Sequence, residues 1–136
     1  MKVATTVLQM LVRVCGAIMI VLGLLFWSGN VLTLIPLHML IGLVLVLSLW
    51  TLAILGAVVR VNPARVALAI VWGFIVPVLG VTQDRLLPGS AHWLIQILHL
   101  LVGLAAIGQA EYLARMIKGR LSARSARART LREANV

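Results

Sequence analysis

Acidic residues are nearly absent from this sequence of 136 residues. It contains three Asp and Glu against twelve Lys and Arg, and only 11% of its residues are charged. Soluble domains carry about 25% charged residues, so this composition argues against an ordinary soluble globule. The single cysteine, Cys15, excludes an intrachain disulfide and a cysteine-ligated metal cluster. Glycine-rich phosphate loops and the motifs of nucleophilic hydrolases are also missing, which argues against phosphoryl transfer and hydrolysis.

Long hydrophobic runs dominate the chain instead. Hydrophobic residues make up 62% of it, and the mean hydropathy is +1.12. A helix needs about 20 apolar residues to cross the hydrocarbon core of a bilayer. The pattern therefore predicts an all-α fold, with a four-helix transmembrane bundle over residues 1–117 and a basic tail over 118–136. The predicted spans cover residues 6–27, 32–59, 64–81 and 90–117.

The basic residues predict the orientation of these spans. Eleven of the twelve fall on one side, whereas the other side has Arg85 alone, beside Asp84. Because positive residues concentrate on the cytoplasmic side of membrane proteins, we expect both termini in the cytoplasm and the protein in a bacterial inner membrane. Six basic residues between Lys118 and Arg132 are typical of a tail at anionic lipid, either as an anchor or as an interfacial helix. Nucleic acid is not expected as a partner.

An internal repeat contains two of the three histidines. Residues 37–43 and 98–104 share the pattern L-H-[ML]-L-[IV]-G-L, which places His38 and His99 at equivalent positions of spans two and four. The chain is therefore interpreted as two tandem helical hairpins. Because a hairpin returns the chain to its starting side, spans two and four run in the same direction. Both histidines are expected at one level, in the outer half of the membrane.

Glycines accompany the histidines at helical spacing. Gly42 and Gly103 each follow a histidine by four residues and thus lie on nearly the same helix face. Gly23 and Gly80 occupy corresponding positions on spans one and three and would open further space. Ionisable side chains within a membrane are functional-site hypotheses by default. A flat macrocycle between two axial imidazoles would need this arrangement, and neutral imidazole is a common haem ligand.

With these features the sequence resembles the four-helix, bis-histidine b-type cytochromes of membranes, meaning the haem-bearing bundle of cytochrome b and the cytochrome b561-like proteins. It is also similar to small four-span bacterial membrane proteins with one histidine on each even-numbered helix. In cytochrome b the second and fourth helices carry the axial histidines, and glycines on the first and third face the haem. The resemblance implies that His38 and His99 are the axial ligands of one haem b.

One departure from cytochrome b limits this prediction. Cytochrome b carries a second histidine about four turns further along each of those helices. The corresponding stretches here are 50–52, with the sequence WTL, and 112–113, with the sequence YL. The resemblance thus implies a single haem in the outer leaflet and an electron carrier rather than a stand-alone enzyme. Its electrons would be exchanged with quinone or with a partner redox subunit.

Polar residues near the predicted haem have two interpretations each. His92, seven residues before His99, is either an interfacial residue beside Trp93 or a contact to a haem propionate, if not an alternative ligand. Arg85 either pairs with a propionate or is a solvated loop charge. Towards the inner end of span four, Glu111 is expected to be an interfacial residue near Arg115, at (i, i+4) spacing.

Three other interpretations are open from the sequence. The two histidines could form hydrogen bonds between helices of a scaffold, or each could hold a separate pigment such as a chlorophyll. In either case the protein would be a non-catalytic accessory subunit of a respiratory or photosynthetic complex, and it would bind lipid or pigment. A small transporter or channel is a further alternative, although mid-membrane charge and paired broken helices are missing.

Overall fold

The computed structural model describes residues 1–135, which form four long helices and no strand. Each of the four is long and apolar enough to cross a membrane, so the predicted all-α architecture is confirmed. Val136, the last residue of the predicted tail, lies outside the described residues. The helices are α1 (Lys2–Trp27), α2 (Ile35–Val58), α3 (Pro63–Thr82) and α4 (His92–Ala134), with 3-10 turns at Leu32–Leu34 and Gln83–Arg85.

Left-handed residues end the first two helices. After α1, Gly29 has φ 77°, and the Asn30 N–H donates to the Leu25 carbonyl at 2.9 Å. After α2, Arg60 takes the same conformation with φ 62°, and the Val61 N–H donates to the Gly56 carbonyl at 2.8 Å. Both bonds close a Schellman motif, which satisfies carbonyls at the helix end and turns the chain back.

The start of α3 has a side-chain cap. The Asn62 Oδ1 accepts a hydrogen bond from the Ala64 N–H at 2.9 Å, and Pro63 occupies the first helical position. Asparagine caps orphan N–H groups at a helix start, and proline there loses no hydrogen bond. The predicted break between spans two and three is therefore a compact turn that joins α2 and α3 as antiparallel neighbours.

The packing of the bundle places α2 opposite α4. Each helix packs against the next in sequence, and α4 also packs against α1 and α2, whereas α1 and α3 barely touch. The helices that carry the two repeated histidines are therefore the pair that meets across the middle of the bundle. The repeat and the topology together bring equivalent positions of the two hairpins face to face.

Side chains are more completely buried in the half of the bundle near the chain termini, here called the inner half, than in the half near the two histidines, here called the outer half. The inner core contains large side chains with almost no exposure, including Val12, Leu49, Leu52, Leu113 and Ile117. In the outer half, the largest buried side chains, Leu22 and Ile95, each keep 8% exposure. The side chains of the outer half therefore enclose one another less completely, at the level where the repeat places its histidines.

Two tryptophans and one glycine make close contacts between α3 and its neighbouring helices. The Trp50 indole N–H donates to the Ile70 carbonyl at 3.1 Å, and Trp72 donates to the Val102 carbonyl at 2.9 Å. Gly73 lies directly beneath the Trp50 ring, where a Cβ would clash with the indole. Both rings therefore pack between helices and satisfy their N–H groups.

The last helix is longer than the predicted fourth span. α4 contains 43 residues and runs without a break through the predicted boundary at 117, a length of about 65 Å at 1.5 Å per residue. The described part of the basic tail is thus a helical continuation of α4. Its association with anionic lipid stays a prediction.

Candidate functional site

His38 and His99 face each other across the outer half of the bundle. His38 lies on the first turn of α2, and His99 lies on the third turn of α4. Their ring centroids are 6.4 Å apart, and the ring planes are inclined by 44°. The structure therefore brings together the two side chains that the repeat predicts at one level.

Neither histidine finds a hydrogen-bond partner for its Nδ1 atom. Both Nδ1 atoms are buried, and no donor or acceptor among residues 1–135 reaches them. The rings do not bond to each other, so the hydrogen bond between helices that the scaffold interpretation requires is not formed. A buried polar atom without a partner costs about 1–3 kcal/mol. The pair is thus an incomplete polar site.

The spacing of the rings suits a shared metal. A metal–imidazole bond is about 2.0–2.1 Å long, so two imidazoles on opposite sides of one ion have centroids roughly 6 Å apart. No group of three or more His, Cys, Asp or Glu lies together within residues 1–135. The residues present therefore do not form a protein-only metal site of the usual kind. Two imidazoles match the number of protein ligands that a group such as haem requires, since it supplies the rest itself.

Two neighbours shape the site around the imidazoles. The Phe26 ring, at the outer end of α1, meets His38 edge to face at a centroid distance of 5.3 Å. On α3, a Cβ built on Gly80 would lie 3.2 Å from the Cε1 atom of His99. The space that Gly80 is predicted to open is thus occupied by the edge of the His99 ring. Phe26 is absent from the predicted site, because it lies outside the repeat and no sequence signal marks it.

The space beside the other three predicted glycines differs from one position to the next. A Cβ on Gly23 or on Gly103 would meet no atom within 4 Å, so both positions border open space. At Gly42, the Met19 methyl group lies 3.0 Å from the Cβ position. The space beside Gly42 is therefore filled by the flexible end of a methionine from α1. Gly42 and Gly103, which the repeat makes equivalent, have different surroundings.

The two polar residues predicted near the outer surface do not join the pair. His92 is the first residue of α4, and its Nδ1 atom lies 3.2 Å from the Leu86 carbonyl oxygen, which connects it to the loop before α4. Arg85 is exposed and makes no ion pair with Asp84 or with any other acid in the described part of the chain. Contact of either residue with a haem propionate stays a prediction.

A polar cluster near the inner end of the bundle, here called the Glu111 cluster, joins α1 to α4. The Arg13 guanidinium donates two hydrogen bonds to the Glu111 carboxylate, and the Gln9 amide donates a third at 2.6 Å. Lys118 donates to the Gln9 carbonyl at 2.6 Å. Glu111 thus forms its ion pair with Arg13 rather than with Arg115, the basic residue at (i, i+4) spacing. The carboxylate turns towards α1, where a bidentate guanidinium and a buried amide are available.

Comparison with known proteins adds no relative: the chain matches no protein-family model, no curated protein and no solved structure. The resemblance to bis-histidine cytochromes thus rests on the residue pattern. Any assignment of function to this chain depends on that pattern and on the geometry of the two histidines.

Proposed function

We propose that this chain is a membrane b-type cytochrome that holds one haem b between His38 and His99. The observation that carries the proposal is the pair itself: two imidazoles from opposite helices, with ring centroids 6.4 Å apart. Haem, when bound, takes up and releases one electron at its iron. The protein would exchange these electrons with quinone or with a partner redox subunit.

The protein groups at the site have separable tasks. The neutral imidazoles of His38 and His99 would each present one ring nitrogen to the haem iron, and the identity of the protein ligands is a main determinant of redox potential. Phe26 restrains the plane of the His38 ring by edge-to-face packing. Gly80 leaves room for the His99 ring on the α3 side. The apolar surroundings lower the local dielectric and limit access of water, which also affects the potential.

The packing of the inner half supports a single haem. Leu49, Leu52, Leu113 and Ile117 fill the interior below the histidines with almost no exposure. A second macrocycle at that level would have to displace these side chains. The same stretches of α2 and α4 also lack a second histidine pair. Electrons would therefore enter and leave from the outer half of the bundle or through a partner subunit.

Visible spectra of the purified protein test the proposal. We expect the dithionite-reduced wild type to show a sharp b-type band, and we expect His38→Ala and His99→Ala each to lose it. Gln83→Ala, on the loop between α3 and α4, is the control and retains the band. His92→Ala should also keep a band because both ligands remain, and a shift of its position would support the predicted propionate contact. A colourless wild type from haem-replete cells would overturn the proposal and return the accessory-subunit interpretation to first place.

A further inference from the structure

A second site lies at the opposite end of the molecule, in the groove between α3 and α4. We propose that this groove binds the headgroup of an anionic phospholipid from the leaflet on the side of the chain termini. It contains a cavity of about 330 Å³ that is separate from the two histidines. The lining residues that carry the argument are Arg65 and Leu68 from α3, and Gly108, Gln109, Tyr112 and Arg115 from α4.

Two cations and no acid line the cavity. Arg65 and Arg115 both line it, and neither forms an ion pair with any acid among residues 1–135. Glu111, the acid closest to Arg115 in sequence, directs its carboxylate at Arg13 and Gln9 on the α1 side. Two unpaired guanidinium groups in one cavity are complementary to a phosphate, which each can bind through parallel N–H groups.

One of these guanidinium groups is already positioned. The Arg65 Cζ atom lies 5.2 Å from the centroid of the Tyr112 ring, within the range of a cation–π contact. This contact connects α3 to α4 and restricts the long arginine side chain. A restrained guanidinium loses less conformational entropy when it binds a phosphate than a free one does.

Deeper in the groove, one polar atom is left without a partner. The Gln109 Oε1 atom is buried, and no donor within residues 1–135 reaches it. Its neighbour Gly108 borders open space, since a Cβ there would meet no atom within 4 Å. Rotation of the Gln109 side chain would turn this oxygen towards the cavity, where a headgroup hydroxyl could donate to it while the phosphate contacts the arginines. Phosphatidylglycerol has both groups.

The walls of the groove favour a lipid over free phosphate. Leu68 is 41% exposed beside the cavity, and Leu113 closes its base. Both helices are apolar enough to cross a membrane, and their exposed side chains along the groove are largely aliphatic. Acyl chains can therefore lie along α3 and α4 while the headgroup occupies the cavity. Basic pockets between membrane helices on the cytoplasmic side are a known mode of anionic lipid recognition.

Competition between lipids tests this inference. The full-length protein in neutral detergent is mixed with equimolar phosphatidylglycerol and phosphatidylcholine, and bound lipid is counted by native mass spectrometry. We expect wild type to retain phosphatidylglycerol about tenfold over phosphatidylcholine, since a tenfold ratio corresponds to about 1.4 kcal/mol. Arg65→Gln and Arg115→Gln should each reduce the ratio to below about threefold, and excess inorganic phosphate should not displace the lipid.

A control variant on the tail and a further variant without a change of charge show where the lipid binds. The double variant Arg124→Gln, Arg127→Gln removes the same kind of charge from the tail and should leave the ratio unchanged. If it lowers the ratio while the groove variants do not, the lipid binds at the tail and the inference is wrong. Equal retention of both lipids by wild type, or displacement by inorganic phosphate, also overturns it. Gln109→Leu, which keeps all charges, should reduce the preference for phosphatidylglycerol over phosphatidic acid, and this arm does not depend on either arginine variant folding.

Discussion

Arg13 and Glu111, which are 98 residues apart in sequence, form a bidentate pair with N–O distances of 2.6 and 2.9 Å. The pair joins the first helix to the last, and it shares its carboxylate with the buried Gln9 amide. Lys118 completes the Glu111 cluster through the carbonyl of Gln9. Among residues 1–135, one carboxylate is therefore the only anion in a cluster that contains two cations.

Removal of this carboxylate should destabilise the bundle more than removal of its partner. Glu111→Ala leaves Arg13 and Lys118 near each other without a counter-charge and leaves the Gln9 amide without its acceptor. Arg13→Ala removes one cation from a position whose side chain is 53% exposed. We expect the thermal midpoint in detergent to fall by several degrees for Glu111→Ala and by less for Arg13→Ala.

The control for this comparison is Glu133→Ala, which breaks the Arg129–Glu133 pair on the tail. That pair is exposed on both sides, and exposed helix pairs contribute little to stability. Its thermal midpoint should match that of wild type. An equal loss in all three variants would show that the Glu111 cluster has no special structural role.

Two glycine-to-alanine variants should show whether the space beside His99 is needed for haem binding. Gly80→Ala places a methyl group 3.2 Å from the His99 Cε1 atom, so the ring must shift. Gly119→Ala, further along α4 than His99, adds the same methyl group where no atom lies within 4 Å. We expect Gly80→Ala to lower the haem content at least severalfold, measured as the ratio of Soret to protein absorbance, and Gly119→Ala to retain most of it. Similar haem content in both variants would argue against a role of Gly80 in positioning His99.

Arg60 is under backbone strain, and glycine should relieve it. Its φ of 62° lies in the left-handed region, which costs a residue with a Cβ about 1–2 kcal/mol. We expect Arg60→Gly to raise the free energy of unfolding by about 1 kcal/mol. Arg60→Ala removes the same charge but keeps the Cβ, so it should give no such gain. The difference between the two variants isolates the backbone contribution from that of the charge.

The number of helices and the meeting of the histidines are predictable for identifiable reasons. Uninterrupted apolar runs of helical length have few alternatives in a chain this hydrophobic, and the Gly29 and Asn62 positions mark two of the turns. The shared L-H-[ML]-L-[IV]-G-L pattern places His38 and His99 on helices of the same direction. Once α2 and α4 pack across the middle of the bundle, a common level is enough to bring the rings together.

The rotation of each helix about its axis is much harder to predict. In soluble helices the apolar stripe marks the buried face, but here exposed positions such as Val7 and Leu40 are as apolar as the core. The sequence therefore contains little information on which side chains point inward. The contact of Phe26 with His38 and the pairing of Glu111 with Arg13 both depend on that rotation.

The extent of α4 is underestimated from the sequence for a different reason. The apolar run ends at 117, and the predicted span ends with it, but a change in polarity does not stop a helix. Residues 118–134 are rich in alanine and arginine, which are strong helix formers, and contain no proline. Polarity predicts where the membrane ends, whereas propensity and caps determine where the helix ends.

Because α4 is unbroken, it connects the histidine pair directly to the basic end of the molecule. One rod of 43 residues carries His99 near one end and a row of arginines near the other. A helix resists twisting and bending over such a length far more than a jointed chain does. His99 and these arginines therefore belong to one unbroken helix, whereas His38 lies on a separate helix that ends at Val58.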